Sequence, residues 1–213
     1  MDIVLFGASG MVGSRVLREL VARGHKVTAV VRDPSRVATG PGVTAVQGDL
    51  TVASRVPSYL EGADAVVSAY SPAHGAEREL LQATEAVLTG AKQAGVARVL
   101  IVGGAASLFI APEVTLLDSG HLPEEWKAIA RAHSDLLALI RKSDVAAELD
   151  WTYFSPAAFI QPGERTGKFR LGKDELVTDA QGQSRISAED YAIALVNELE
   201  KPQHVRQRFT IGY

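Results

Sequence analysis

Three glycines at a fixed spacing near the start of the chain constrain the fold more than any other feature. An apolar run, residues 3–6, leads directly into Gly7, and Gly10 and Gly13 follow before an amphipathic segment, residues 12–23. This order indicates a strand, a tight turn and a helix. Glycines let the backbone turn sharply, and the free N–H groups at a helix start receive an anion. The motif therefore predicts a site for the pyrophosphate of a dinucleotide.

Strand-like and helix-like segments alternate along the rest of the chain. The predicted strands, which lack polar alternation, are residues 3–6, 26–31, 43–47, 65–69, 98–102, 151–154 and 209–211. The predicted helices are residues 12–23, 53–60, 77–95, 123–142 and 191–200, the last preceded by a cap at Ser187. Apolar strands separated by helices are typical of a parallel sheet covered on both faces. The fold class is therefore a doubly wound α/β sheet.

Two segments depart from this alternation, residues 105–120 and residues 161–184. Both follow predicted strands at their carboxyl ends, which is where doubly wound sheets bind ligands. We expect them to form the walls of a substrate pocket as small insertions, with ordinary surface loops as the alternative. No linker or repeat interrupts the sequence, so residues 1–213 are predicted to form a single domain.

The composition limits the classes of protein. Of the 213 residues, 46% are hydrophobic and 22% charged, the formal net charge is −3, and cysteine is absent. Redox chemistry therefore depends on a bound cofactor, and no thiolate metal site exists. No apolar run approaches the roughly 18 residues of a membrane helix, and the negative net charge disfavours nucleic acid as a partner. We expect a soluble cytoplasmic protein without a metal, a membrane or a nucleic-acid partner, whose oligomeric state stays open.

The end of the second predicted strand carries the signal for the type of cofactor. Arg32 stands where an acidic residue would bind the ribose of NAD and an arginine would accept the 2′-phosphate of NADP. Ser35 and Arg36 follow within one turn, and the three together suit a dianionic phosphate. Asp33 leaves a ribose diol as the alternative, and Arg32 alone is also compatible with a solvated charge. The pattern favours NADP(H) over NAD(H).

The third predicted strand ends in Gly48-Asp49-Leu50. In a nucleotide site, a short acidic side chain at this point accepts a hydrogen bond from the adenine amino group, and the leucine lies on the ring. The alternative is a simple turn capped by the aspartate.

These motifs, together with 30–34 (Val-Val-Arg-Asp-Pro) and the stretch from Asp150-Trp151-Thr152 to Ser155-Pro156, resemble the atypical short-chain dehydrogenase/reductase superfamily over nearly the whole chain. Within it, the sequence is similar to NADPH-flavin reductases, biliverdin-IXβ reductase-like proteins and NmrA-like proteins. The resemblance implies an NAD(P)-binding Rossmann fold. The cofactor contacts that it implies are Gly7, Ser9, Gly10, Met11, Val12 and Gly13 around the pyrophosphate, Arg32, Asp49, Leu50 and Ala69 at the adenosine end, and Gly103, Gly104, Pro156, Ala157, Ala158 and Phe159 beside the nicotinamide.

The chain departs from the superfamily at its catalytic pair. Typical members carry Tyr-x-x-x-Lys on the helix before the sixth strand, but no tyrosine lies between Tyr70 and Tyr153. A loose alignment puts Ile129 and His133 on the two positions. His133 is therefore a candidate for holding ribose or donating a proton, with a hydrogen-bonded core histidine as the alternative. Ser107 is a second catalytic candidate, and its alternative is a turn residue.

A flavin or quinone does not need the missing tyrosine, because its reduced anion is delocalised and solvent supplies the proton. Phe109, Trp126 and Phe159 are candidates for stacking on such a planar acceptor, or are part of the core. The sequence therefore predicts an NADPH-dependent oxidoreductase that passes hydride to a flavin, a quinone or a similar conjugated acceptor. A non-catalytic NADP(H)-binding redox sensor of the NmrA-like kind is the alternative, and an NAD-dependent epimerase is a third.

Overall fold

A central eight-stranded sheet organises the computed structural model, which describes residues 1–213. Its strands, in spatial order, are β10 (Arg170–Gly172), β12 (Gln207–Gly212), β8 (Asp150–Ser155), β5 (Arg98–Val102), β4 (Ala65–Ser68), β1 (Asp2–Phe6), β2 (Lys26–Val31) and β3 (Val43–Gln47). All neighbours are parallel except β10 and β12, which are antiparallel. The chain begins in the middle of the sheet, builds outward to β3, and then crosses to build the other half.

Helices cover both faces of this sheet. They are α1 (Met11–Ala22), α2 (Val56–Leu60), α3 (Glu79–Ala94), α4 (Glu124–Lys142), the short α5 (Asp144–Ala147) and α6 (Ala188–Glu200). One buried cluster joins α1 and α6 to the sheet, and a second joins α2, α3 and α4 to the opposite face. Burying both faces is what allows the strands to be apolar along their whole length.

Aromatic rings fix the position of the last helix and the last parallel strand. The ring of Phe154 lies 4.2 Å from the ring of Tyr191 and 4.0 Å from that of Phe209, and both pairs are stacked. The Tyr191 hydroxyl donates to the Phe154 carbonyl at 2.6 Å. This packing holds α6 and β12 against β8.

The doubly wound parallel sheet predicted from the sequence is confirmed, with small differences at its elements. The predicted helix 53–60 divides into a 3-10 turn, Ala53–Arg55, and α2. Ser187 caps α6 by accepting from the Asp190 amide, but the helix begins at Ala188, three residues earlier than expected. Short strands that are too brief to show a period also lie in the irregular regions: β6 (Phe109–Ala111) pairs with β7 (Val114–Thr115), and β9 (Phe159–Gln161) pairs with β11 (Arg185–Ser187).

Candidate functional site

Seven parallel strands end at one edge of the sheet, and the residues that follow five of them form the candidate site. Gly7 follows β1, Arg32 follows β2, Ala69 follows β4, Gly103 follows β5 and Pro156 follows β8. Because these strands are parallel, segments far apart in sequence meet here. The region combines the start of α1 with the exposed charged group of Arg32.

The glycine turn brings α1 against the ends of β1 and β4. Gly7 has a φ of +78°, and a Cβ atom on it would lie 2.2 Å from the carbonyl oxygen of Ala69. A Cβ atom on Gly13 would lie 2.0 Å from the carbonyl oxygen of Gly7. At both positions an added Cβ atom would clash with backbone atoms, so no other residue type fits without a shift of the helix.

The first turn of α1 is suited to an anion. Gly10 caps the helix without a side-chain hydrogen bond, and no acidic residue lies in the first turn. The first backbone bond of the helix is the one from the Ser14 amide to the Gly10 carbonyl, at 3.0 Å. The amides of Met11, Val12 and Gly13 thus precede the hydrogen-bonded part of the helix and carry the positive end of its dipole. Ser9 lies beside them, and the residues present fit a dinucleotide pyrophosphate.

Arg32 and Arg36 are both exposed at the adenosine end of this edge. Asp33 between them accepts from the Ser35 amide at 3.0 Å and from the Ser35 hydroxyl at 2.7 Å, and these bonds lower the pKa of the Asp33 carboxyl. The Ser35 hydroxyl therefore donates to Asp33, which corrects the expectation that it joins the two arginines around a phosphate. Asp33 itself caps the 3-10 turn Pro34–Arg36.

The structure places Asp49 and Leu50 differently from the sequence prediction. Asp49 accepts from the Thr51 amide and from the Thr51 hydroxyl, each at 2.8 Å, which is the turn alternative, and these bonds lower the pKa of its carboxyl. Leu50 is buried in the core beneath β1 and β2, with 5% of its surface exposed. The expectation that Leu50 lies on an adenine ring is wrong in this structure, because its side chain packs inward.

Sequence reasoning missed Tyr70, which follows Ala69 at the end of β4. Its hydroxyl donates to Glu79 at 2.9 Å, and burial together with that carboxylate raises the pKa of Tyr70 to about 12. The charges of Arg32 and Asp49 also act on Tyr70, so these groups lie near one another. The sequence signal that could have identified Tyr70 was its position just after the end of a predicted strand.

Gly103 and Gly104 lie beside a buried tyrosine and a histidine. A Cβ atom on Gly103 would lie 2.2 Å from the Tyr153 ring, and one on Gly104 would lie 2.7 Å from the His133 Cβ atom. The Gly104 amide donates to the Tyr153 hydroxyl at 3.1 Å, and that hydroxyl donates to the His133 carbonyl at 2.9 Å. Both positions are glycine because Tyr153 and His133 leave no room for a side chain there.

His133 is a hydrogen-bonded, half-buried histidine. Its Nδ1 atom lies 3.3 Å from the Tyr153 hydroxyl, and burial lowers the pKa of the imidazole from 6.5 to about 4. The structure thus favours the hydrogen-bonded alternative for His133 over a proton donor, because nothing acidic compensates the loss of hydration. Tyr153 is fully buried, and burial raises the pKa of its hydroxyl. Neither group is a ready proton donor at neutral pH.

Ser107 supports the two pocket walls. Its hydroxyl accepts from the buried guanidinium of Arg208 at 3.2 Å, and Arg208 also forms an ion pair with Asp174. The Phe109 amide donates to the Asp174 carbonyl, and the Leu176 amide donates to the Phe109 carbonyl, each at 2.8 Å. Segments 105–120 and 161–184 are thus joined to each other and to β12. Ser107 has this structural partner, and the structure does not bring it into hydrogen-bond contact with His133.

An open cleft of about 1170 Å³ lies against the two walls. It is lined by apolar side chains such as Ile110, Leu116 and Phe159, and by polar groups that include Lys168 and Arg185. Phe159 has 72% of its surface exposed and lines this cleft.

The other aromatic and nicotinamide-side candidates lie in different environments. Trp126 is 57% exposed and Phe109 is 37% exposed, so neither belongs to the core. Ala157 is buried in the core, and the carbonyl of Pro156 accepts from Thr210. Of the three aromatic candidates, only Phe159 lines the cleft.

A family model described as NAD(P)H-binding matches residues 7–202. The chain belongs to this NAD(P)H-binding family. The match begins at the first glycine of the turn and includes Arg32, Ala69, Gly103 and Pro156, which follow strands of the sheet.

Solved structures of relatives agree with this family over the whole chain. A candidate epimerase from Bacteroides thetaiotaomicron is 45% identical, with a TM-score of 0.93 and coverage of 100% of this chain and 96% of that one. A candidate exported protein from Burkholderia pseudomallei is also 45% identical, with a TM-score of 0.90 and complete coverage of both chains. A candidate NADH-flavin reductase from Streptococcus pneumoniae is 34% identical, with a TM-score of 0.85 and coverage of 100% and 99%.

This NAD(P)H-binding protein has the Rossmann-like fold expected from the sequence, and the relative named as a candidate NADH-flavin reductase agrees with the resemblance to flavin reductases seen there. None of its helices combines the length and the apolar character needed to cross a membrane.

Proposed function

We propose that the protein is an NADPH-dependent oxidoreductase that passes hydride to a flavin, a quinone or a similar conjugated acceptor. The amides of Met11, Val12 and Gly13 would hold the pyrophosphate, and Arg32 and Arg36 the 2′-phosphate. The bound cofactor supplies the hydride. The chain's own residues supply binding, orientation and the walls of the cleft.

The observation that carries this proposal is the state of the two groups beside Gly104. Burial lowers the pKa of His133 to about 4, so its imidazole is neutral and is a poor acid at neutral pH. The Tyr153 hydroxyl is fully buried and already donates a hydrogen bond to the His133 carbonyl. Reduction of an isolated carbonyl needs a proton donor at the oxygen. A conjugated acceptor delocalises the added charge and takes its proton from solvent, so this site suits it better.

The open cleft supports a planar acceptor. Phe159 exposes 72% of its surface there, which leaves a ring face for stacking. A volume of about 1170 Å³ accommodates a multi-ring molecule.

The preference for NADPH rests on charge. Two exposed arginines, Arg32 and Arg36, lie at the adenosine end, and Asp33 is already engaged by Ser35. A free carboxylate would favour the ribose diol of NAD, whereas paired guanidinium groups favour a phosphate. The cytoplasmic location expected from the sequence stays a prediction, and one relative is named as exported.

A redox sensor is the alternative that the same observations allow, since a sensor also needs no proton donor. An epimerase, the name carried by one relative, requires groups that remove and return a proton, and a neutral buried His133 does not suit that role.

The test is anaerobic oxidation of NADPH by the purified protein with FMN, riboflavin, menadione and simple aldehydes, with NADH in parallel. We expect turnover of flavin or quinone, inert aldehydes and poor use of NADH. Arg32→Glu should weaken NADPH binding by about 10-fold to 100-fold, because a charge-assisted hydrogen bond of about 1.5–3 kcal/mol is replaced by repulsion. Arg131→Glu, an exposed site on α4, is the control with the same charge change. Saturable NADPH binding without any turnover would favour the sensor, and aldehyde turnover would refute the argument from His133 and Tyr153.

A further inference from the structure

A chain of three hydrogen bonds joins the start of α1 to the acceptor side of the cleft. Residues 162–168, here called the strap, form part of the cleft wall. The Gly163 amide donates to Glu189 Oε2 at 2.8 Å, and Glu189 Oε1 accepts from Arg15 Nε at 2.9 Å. Arg15 Nη1 then donates to the Met11 carbonyl at 3.2 Å. Two side chains therefore connect the predicted pyrophosphate site with the strap.

The connecting ion pair is partly buried. The side chains of Arg15 and Glu189 are 22% and 15% exposed, and their hydrogen bonds lower the pKa of the Glu189 carboxyl. An ion pair with little solvent contact is screened weakly, so a new charge next to one partner is felt by the other. A pyrophosphate at the first turn of α1 brings such a charge next to Arg15.

The start of the strap is also held by Ser187, whereas residues 162–168 are otherwise exposed. A Cβ atom on Gly163 would lie 3.0 Å from the Ser187 Cβ atom, and the Ser187 hydroxyl donates to the Glu164 carbonyl at 2.7 Å. Gly163 is thus held between Ser187 and Glu189. A change in how Arg15 shares its donors between Glu189 and an anion therefore reaches the Gly163 amide first, and the exposed residues of the strap follow from it.

We propose that Arg15 is a positioning residue that couples occupancy of the pyrophosphate site to the order of the strap, and through it to acceptor binding. This inference rests on the proposed binding of NADP(H). An anion at α1 fixes the guanidinium of Arg15, the guanidinium fixes Glu189, and Glu189 fixes the Gly163 amide. The coupling is reciprocal, so an acceptor that orders the strap also tightens cofactor binding.

The same helix and the same strap are joined by a second ion pair that serves as a control. Arg165 in the strap pairs with Glu19 of α1 at 2.9 Å, and Arg165 is 59% exposed. Glu19 also pairs with Arg23 and lies one helical turn further along α1 than Arg15. Arg165→Met therefore removes an attachment of the strap without breaking the path to Met11.

Hydrogen exchange of the strap amides, followed by mass spectrometry with and without saturating NADP⁺, tests the inference. Calorimetry first establishes that NADP⁺ binds. We expect NADP⁺ to slow exchange in residues 162–168 by about fivefold or more in the wild type and in Arg165→Met, which is the lower end of ordinary coupling between sites. Arg15→Met should reduce that protection to less than about twofold, and Arg15→Lys should give an intermediate value.

A second variant and the calorimetry separate failure of the coupling from failure of the proposed function. If Arg15→Met fails to fold by circular dichroism, Glu189→Gln breaks the same ion pair and should lose the protection as well. NADP⁺ binding without strap protection in the wild type, or with full protection in Arg15→Met, overturns the coupling and leaves the proposed cofactor intact. Absence of NADP⁺ binding in calorimetry overturns the proposed function, and the coupling with it.

Discussion

Acid should destabilise the folded protein through His133, by an amount that the structure allows us to work out. The imidazole has a pKa of about 4 in the folded chain and of 6.5 when unfolded. The unfolded state therefore binds more protons between these two values, and stability falls as the pH drops below about 6.5, until the loss is complete below about 4. The full difference corresponds to about 3 kcal/mol, of which about 2 kcal/mol is lost between pH ~7.5 and pH ~5.

Other groups act in the same direction, so a variant is needed to isolate this one. Carboxyl groups such as Asp49 and Asp174 have lowered pKa values in the folded protein, so their protonation in acid also lowers its stability. His133→Gln removes the titrating ring but keeps the backbone carbonyl that accepts from Tyr153. Urea unfolding of both proteins at the two pH values gives the difference in unfolding free energy, and the wild type should lose about 2 kcal/mol more than the variant.

The reasoning would be refuted if the difference in unfolding free energy between the wild type and His133→Gln were the same at both pH values. That result would mean that His133 is protonated as easily in the folded chain as in the unfolded one. An NMR titration of the His133 ring in the wild type gives the folded pKa directly. A value near 6.5 would contradict both the burial argument and the neutral imidazole on which the proposed acceptor class depends.

Three further perturbations test the fold and the cleft. Gly13→Ala places a Cβ atom 2.0 Å from the Gly7 carbonyl oxygen, so it should lower the unfolding free energy in urea by about 3 kcal/mol and abolish NADPH binding in titrations. The control Gly40→Ala adds its Cβ atom in open space and should change neither quantity. Arg208→Met should lower the unfolding free energy by about 2 kcal/mol, which is less than the loss of a fully buried ion pair because Asp174 is 43% exposed. The control Arg141→Met removes an exposed ion pair of the same aspartate and should lower the unfolding free energy by under about 0.5 kcal/mol. Phe159→Ala should raise the acceptor KM about 10-fold with stability unchanged, and Leu171→Ala, exposed but outside the cleft, should leave it unchanged.

The cofactor half of the molecule was predictable because its signals are local. The spacing of Gly7, Gly10 and Gly13 after an apolar run specifies a strand, a turn and a helix within a few residues. Alternation of apolar strands and helices then specifies the parallel sheet. The environments of Asp49 and Leu50 were less predictable, since an aspartate turn and a buried leucine fit the same letters as a nucleotide contact.

The acceptor half was less predictable because its contacts join residues that are distant in sequence. Arg208 reaches Ser107 across 101 positions, and Tyr153 reaches His133 from a neighbouring element. No periodicity marks such pairs. The pKa of His133 depends on burial that only the packing of α4 against Gly104 creates.

The joining of the two walls has a consequence for exchanging specificity between relatives. Phe109 bonds to residues on both sides of Glu175, and Arg208 ties both walls to β12. A graft of residues 105–120 alone would leave Asp174 and Arg208 facing a foreign loop, whereas a graft of 105–120, 161–184 and position 208 together would carry its own connections. In this fold two loops and one arginine form a connected unit, and a graft of that unit must also keep the contacts of Gly163 with Glu189 and of Arg165 with Glu19.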